Sequence, residues 1–153
     1  MQFSYIVSDA SLPTTLIYSS NEKSFTCDPW LYPNFSILIG AGYVSLDVSL
    51  NNRRIVSISG LSPEKAWKES DFIIPNNIVT GQVYIIDNTS YEPGTGITYA
   101  NWHPLYNSKT KWIYLGDMDK NSSQTVFIQF IDQCVAALNK DKLTGLYLNP
   151  IWI

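Results

Sequence analysis

The chain reads as one mainly β domain, an antiparallel β-sandwich or strongly curled sheet with one short helix, and three observations predict it. Val44, Leu46, Val48 and Leu50 alternate with the polar Ser45, Asp47 and Ser49, the period of two that marks a strand buried on one face. Ten Tyr and five Trp are many for 153 residues, and aromatic side chains favour strands and contact surfaces. Asp28-Pro29-Trp30 and Tyr32-Pro33 place prolines beside aromatics in a turn-rich segment, which argues against a helix there.

The length fits a single domain over residues 1–153, large enough to bury roughly 70% of its unfolded surface. A content of 45% hydrophobic against 15% charged residues excludes a disordered chain. Ten basic and thirteen acidic residues give a net charge of -3, which suits a basic protein partner and disfavours nucleic-acid phosphates. The N-terminus MQFSYIVSDASLP has no basic region and no long apolar run, so a cytoplasmic protein with no membrane partner is expected. The sequons at Asn34, Asn88 and Asn121 then arise by chance, and Cys27 and Cys134 are expected as reduced, partly buried thiols.

In chain order, Phe3 to Val7 and Thr15 to Tyr18 are short strands separated by Leu12-Pro13, and Ser36 to Ile39 leads through Gly40-Ala41-Gly42 into a hairpin. A two-residue Asn51-Asn52 turn would pair Val48 with Ile55 and set Val56 and Ile58 opposite Asp47 and Ser45. A three-residue turn, Asn51-Asn52-Arg53, pairs Val48 with Val56 and Leu46 with Ile58, keeps one face apolar and is the one expected. Ser62-Pro63-Glu64 has the pattern of a helix start, with an N-cap hydroxyl, a proline at the first position and a carboxylate at the positive dipole end. That helix is expected over Pro63 to Ser70. Phe72 to Pro75 is an extended stop, and Ile78 to Asp87 is a strand in which Gly81 marks a bulge or close approach. Asn88 to Thr110 is a long loop that either hides a short strand at Ile97 to Ala100 or is functional. Lys111 to Leu115 is a strand closed by Gly116-Asp117. Over Gln124 to Asn139 two periods compete: a helical stripe, or two strands with a turn at residues 139–142 into Leu143 to Leu148. The helical reading makes the alternative fold α+β, with that helix on the sheet.

His103 is the only histidine, and neither cysteine has a partner at metal-ligand spacing, so no metal site is expected. The sequence has no nucleophile elbow, dinucleotide fingerprint, Walker loop or Cys-x-x-Cys, so no cofactor and no enzymatic activity are expected. A small hydrolase would have to use His103 with a loop carboxylate, and no motif supports it. Aromatics with polar neighbours gather instead in the turn-rich segments: Trp30 and Tyr32 in one, Tyr91, Tyr99, Trp102 and Tyr106 in the other, with Asp28 and Glu92 alongside. Such a set suits a protein-binding surface or a sugar-stacking platform. Asp117 and Asp119 lie in a polar turn.

Three stretches carry a resemblance: Gly60-Leu61-Ser62-Pro63 with Trp67, Trp112 to Asp117, and Val126 to Pro150. Together they resemble small bacterial proteins that include immunity proteins paired with secreted toxins, such as those of contact-dependent growth inhibition. The likeness covers about a quarter to a third of the chain. It implies successive strands in the third stretch, with turns before Cys134 and after Asn139, although Ile131-Asp132-Gln133 stands where a glycine turn would be comfortable. It also implies a protein that acts by binding a cognate basic toxin, a nuclease, as a monomer in a 1:1 complex. The expected partner-binding residues are Asp28, Trp30, Tyr32, Tyr91, Glu92, Trp102, His103, Tyr106, Asp117 and Asp119. A carbohydrate-binding module using the same aromatics is the alternative.

Overall fold

The computed structural model describes residues 1–41 and 43–153, so the Gly42 step of the lead-in to the hairpin lies outside the described residues. Strands take 57% of the residues and 3-10 turns 4%, which decides for mainly β over α+β. Along the chain run β1 (Phe3–Val7), β2 (Leu12–Ser19), β3 (Ser24–Asp28), β4 (Phe35–Gly40) and β5 (Val44–Ser49). They are followed by β6 (Arg54–Leu61), β7 (Lys68–Glu69), β8 (Ile78–Ile85), β9 (Thr95–Trp102) and β10 (Leu105–Asn107). The C-terminal third holds β11 (Trp112–Gly116), β12 (Val126–Asp132), β13 (Cys134–Asn139), β14 (Lys142–Leu148) and β15 (Ile151–Trp152).

Pairing closes part of the sheet into a ring. β12 runs parallel to β2, β2 antiparallel to β3, β3 antiparallel to β6, β6 meets β8 at Arg54 opposite Tyr84, and β8 runs parallel to β12. Straight strands can close a ring only with an even number of antiparallel steps. This ring has three, so its strands must bend. The bends fall where strands change partners: β12 faces β8 over Phe127–Gln129 and β2 from Ile131 on, and β6 faces β8 at its start and β3 at its end. Strands that pass between layers at bulges are how a sandwich turns its corners. From the ring, one wing continues as β13-β14-β11-β10-β7 and the other as β5-β4-β9, with β4 and β9 parallel.

The hairpin of β5 and β6 holds with two corrections. Leu46 pairs with Ile58 as expected, but Val48 pairs with Ile55 rather than Val56, and the connection runs over Leu50 to Arg53. A register shift after Asp47 leaves Val56 as the extra residue and restores the apolar face. The polar face is not solvated either: Ser45 is 6% and Asp47 3% exposed. Gly60, which ends this hairpin, adopts φ +113, and a side chain there would strike the Tyr43 carbonyl. A side chain at Gly81 would strike the Ile6 carbonyl, which is the close approach expected of it.

The expected helix over Pro63 to Ser70 is absent. Only a 3-10 turn, Glu64–Ala66, forms, and β7 follows. The Ser62 hydroxyl makes no cap. It accepts a hydrogen bond from the Trp67 indole N–H at 2.9 Å, while the Ser62 carbonyl accepts from the Tyr18 hydroxyl at 2.7 Å. Tertiary contacts therefore take the groups that would have nucleated a helix, and a short helix cannot afford to lose them. The long 88–110 segment contains β9 and β10, which extends the short strand expected at 97–100.

Gln124 to Asn139 forms no helix but the strands β12 and β13, followed by the 139–142 turn into β14. β13 is buried on both faces. Cys134, Ala136 and Leu138 enter the main core, while Val135 and Ala137 join a second cluster with Phe72, Tyr114 and Tyr147. Apolar residues on both faces erase the alternation that identifies a strand. Gln133 takes the turn with φ +61 where a glycine would have been comfortable. Cys27 and Cys134 are buried free thiols, pushed up by burial.

Candidate functional site

The expected partner-binding residues do not form one surface. Asp28 ends β3, and Trp30 and Tyr32 lie in the loop between β3 and β4, with Tyr32 84% exposed. That loop is pinned through Asn34, whose amide donates to the Val48 carbonyl and whose carbonyl accepts from Gly94, so the loop carrying Tyr91 and Glu92 lies beside it. Trp102 packs edge-on against Tyr99, and the exposed His103 sits in the turn between β9 and β10. Tyr106 is on β10. Asp117 precedes the 3-10 turn Met118–Lys120 and the exposed Asp119 lies within it, with Asp117 3.9 Å from Lys120.

Tyr91 is held by local chemistry. Its ring stacks on Phe35 at 5.0 Å and under the Arg53 guanidinium at 5.4 Å, and its hydroxyl donates to Asp87 at 2.9 Å. Arg53 also donates to the carbonyls of Ile85, Asp87 and Thr89. Burial pushes the Asp87 carboxyl up, but donors from Gln2, Tyr91 and Thr89 outweigh it and hold the group at about 2.

A groove of about 630 Å³ is lined by Glu64, Trp67, Glu69, Tyr106, Lys111 and Trp152. Trp67, Tyr106 and Trp152 stand 5.4–6.0 Å apart by ring centroids, and Tyr18 backs them from the core at 5.0 Å from Trp67. Burial, with Glu64 beside it, pushes the Tyr18 hydroxyl up to about 12. Glu64 lies 3.6 Å from Lys23, and Glu69 accepts from the Ser108 amide at 3.1 Å. Both carboxylates are exposed at the rim. Three rings with two acids and Lys111 at their edge can hold a flat apolar group, or a cation on the side of the acids. Of the groove's residues, Tyr106 is among those singled out from the sequence, whereas Trp67, Trp152, Glu64 and Glu69 are not. Trp67 belongs to the Gly60 motif and Trp152 lies next to the last residue, and only the β10–β7 and β2–β15 pairings bring the two together.

A second concavity, about 360 Å³, lies under the 29–34 loop, lined by Trp30, Pro33, Asn34, Phe35, Ser36, Asp47, Ser59, Gly94 and Thr95. It contains one of the expected residues, Trp30. Among the described residues no helix is long and apolar enough to cross a membrane. No protein-family model matches this chain, and a search of curated proteins gives no significant match.

Proposed function

We propose that the chain is an immunity protein that acts in the cytoplasm, binding a cognate secreted toxin one to one and covering its active site. The groove of Trp67, Tyr106 and Trp152 with Glu64 and Glu69 on its rim carries this reading. Aromatic anchors in a partly desolvated groove are where binding energy concentrates in protein interfaces, and an acidic rim complements the basic cleft of a nuclease. The acids steer encounter and the rings hold the complex. Asp28, Glu92, Asp117 and Asp119, outside the groove, extend the negative surface over which a basic partner is drawn. Co-expression with the adjacent toxin reading frame tests it: a 1:1 complex is expected on purification, and no binding at micromolar concentration refutes it.

The groove volume, about 630 Å³, also falls in the range of small-ligand sites, which favours a glycan-binding module as the second reading. It predicts glycan-array signals that Trp67→Ala removes.

A further inference from the structure

We infer that the pocket under the 29–34 loop is a socket for one organic cation, an ammonium or guanidinium group, with the Asp47 carboxylate as its counter-charge. Three adjacent strands build the floor. Ser36 of β4 and Ser45 of β5 donate to Asp47 Oδ1 at 3.2 and 2.9 Å, and Ser59 of β6 donates to Oδ2 at 2.7 Å. Register forces this convergence, because Ser36 lies opposite Asp47 and Ser45 opposite Ser59 across the ladders. A carboxylate offers about four lone-pair sites. Three are taken and the fourth is on Oδ2; the buried Ser57 hydroxyl, opposite Asp47 on β6, has no partner of its own and can turn to that lone pair or leave it to an incoming donor.

Asp47 is 3% exposed, yet it has no ion pair among the described residues; the pairs present are Lys23–Glu64, Arg53–Asp87 and Lys120–Asp117. Buried charges are ordinarily paired, and hydroxyl donors supply hydrogen bonds but no opposite charge. A cluster needed only for its hydrogen bonds would be served by an asparagine without the burial of a charge. The missing partner has a place to sit: Asp47 lines the cavity of about 360 Å³ and Trp30, 41% exposed, walls it. An indole face is the best aromatic surface for a cation. One carboxylate whose serine neighbours already donate to it is a poor cage for calcium, which takes six to eight oxygen ligands. An N–H cation can use the fourth lone pair and the ring together.

This site is separate from the aromatic groove and does not depend on the toxin reading. The cation could arrive free or as the Lys or Arg side chain of a partner, and the test separates the two. Amide and indole NMR spectra of the full chain are recorded against methylguanidinium, n-butylammonium, tetramethylammonium and calcium chlorides, and an acetyl-Gly-Arg-Gly peptide, at fixed ionic strength. Saturable shifts at Ser36, Asp47, Ser59 and the Trp30 indole are expected with the N–H cations. Asp47→Asn should weaken them about tenfold or more, the size of one charge-assisted hydrogen bond. Trp30→Ala, a change at an exposed position, should also weaken them and serves if the Asp47 variant does not fold. Peptide shifts saturating well below the free cations assign the socket to a partner side chain; comparable affinities assign it to a free amine. No saturable shift, equal shifts in Asp47→Asn or Trp30→Ala, or a response to calcium alone would overturn the assignment.

Discussion

The two concavities distribute charge in opposite ways. In the aromatic groove the rings form the wall and the carboxylates of Glu64 and Glu69 stand in solvent at the rim. In the pocket under the 29–34 loop the carboxylate is at the floor, 3% exposed, and the Trp30 ring is the exposed part. Rim charges are hydrated and screened, so they add little to stability and act on encounter. A charge at the floor is desolvated and weighs against the folded state until something offsets it. The difference teaches where stability and function pull together. The groove's rings are half-buried and pack against the core, so losing one should harm both; the pocket's acid opposes the fold, so losing it should harm only binding.

Trp67→Ala gives the largest effect. Its ring packs on Tyr18, Tyr106 and Trp152 and its N–H bonds Ser62, so about 2–3 kcal/mol should be lost in urea unfolding. An unchanged midpoint would mean the groove rings do not pack against the core.

Asp87→Asn comes next and tests the loop that borders the pocket. The native carboxyl is held at about 2, below its unfolded value, so its stabilisation is present above the unfolded pKa and is lost as pH falls through about 2. The variant should be about 1 kcal/mol less stable at pH 7 after allowance for screening, and the gap should close in strong acid. Amide exchange in residues 88–94 should quicken.

Asp47→Asn carries the opposite sign. Burial raises the Asp47 carboxyl, against the lowering by Ser59, Ser45, Ser36 and Ser57, and the Cys27 thiol is the titratable group that feels its charge. A raised group contributes stability that is complete below the unfolded pKa and disappears as pH rises through the folded one. Free of ligand, wild type should therefore melt below Asp47→Asn at pH 7, and the two should converge below about pH 4. A variant that melts lower at every pH would mean that the carboxylate is structural. Glu64→Gln should have the smallest effect, leaving the melting temperature almost unchanged, because its pair with Lys23 is half exposed.

The strand character of the chain was legible wherever one face is apolar, as in the alternation of 44–50. It was hidden where both faces are covered: β13 looks helical because Val135 and Ala137 find a second cluster behind the sheet. The Ser62-Pro63-Glu64 signal failed because the Ser62 hydroxyl and carbonyl are spent on Trp67 and Tyr18, far away in sequence. Local capping rules see only neighbours. The same limit applied to the sites. Aromatics in turn-rich sequence, such as Trp30 and Tyr106, could be picked out by composition, but Asp47 read as a solvated residue on a strand's polar face. Only the fold of the 29–34 loop over β4, β5 and β6 turns it into a buried acid.

The most direct measurement is a calorimetric titration of the protein with the product of the reading frame that neighbours its gene, repeated with Glu64→Gln/Glu69→Gln and with Trp67→Phe. A 1:1 complex is predicted, with an affinity less sensitive to salt in the double variant and lower affinity in Trp67→Phe through loss of the indole contact. A chain that does not bind at micromolar concentration, or binds equally well in all three forms, would contradict a partner seated on the aromatic groove.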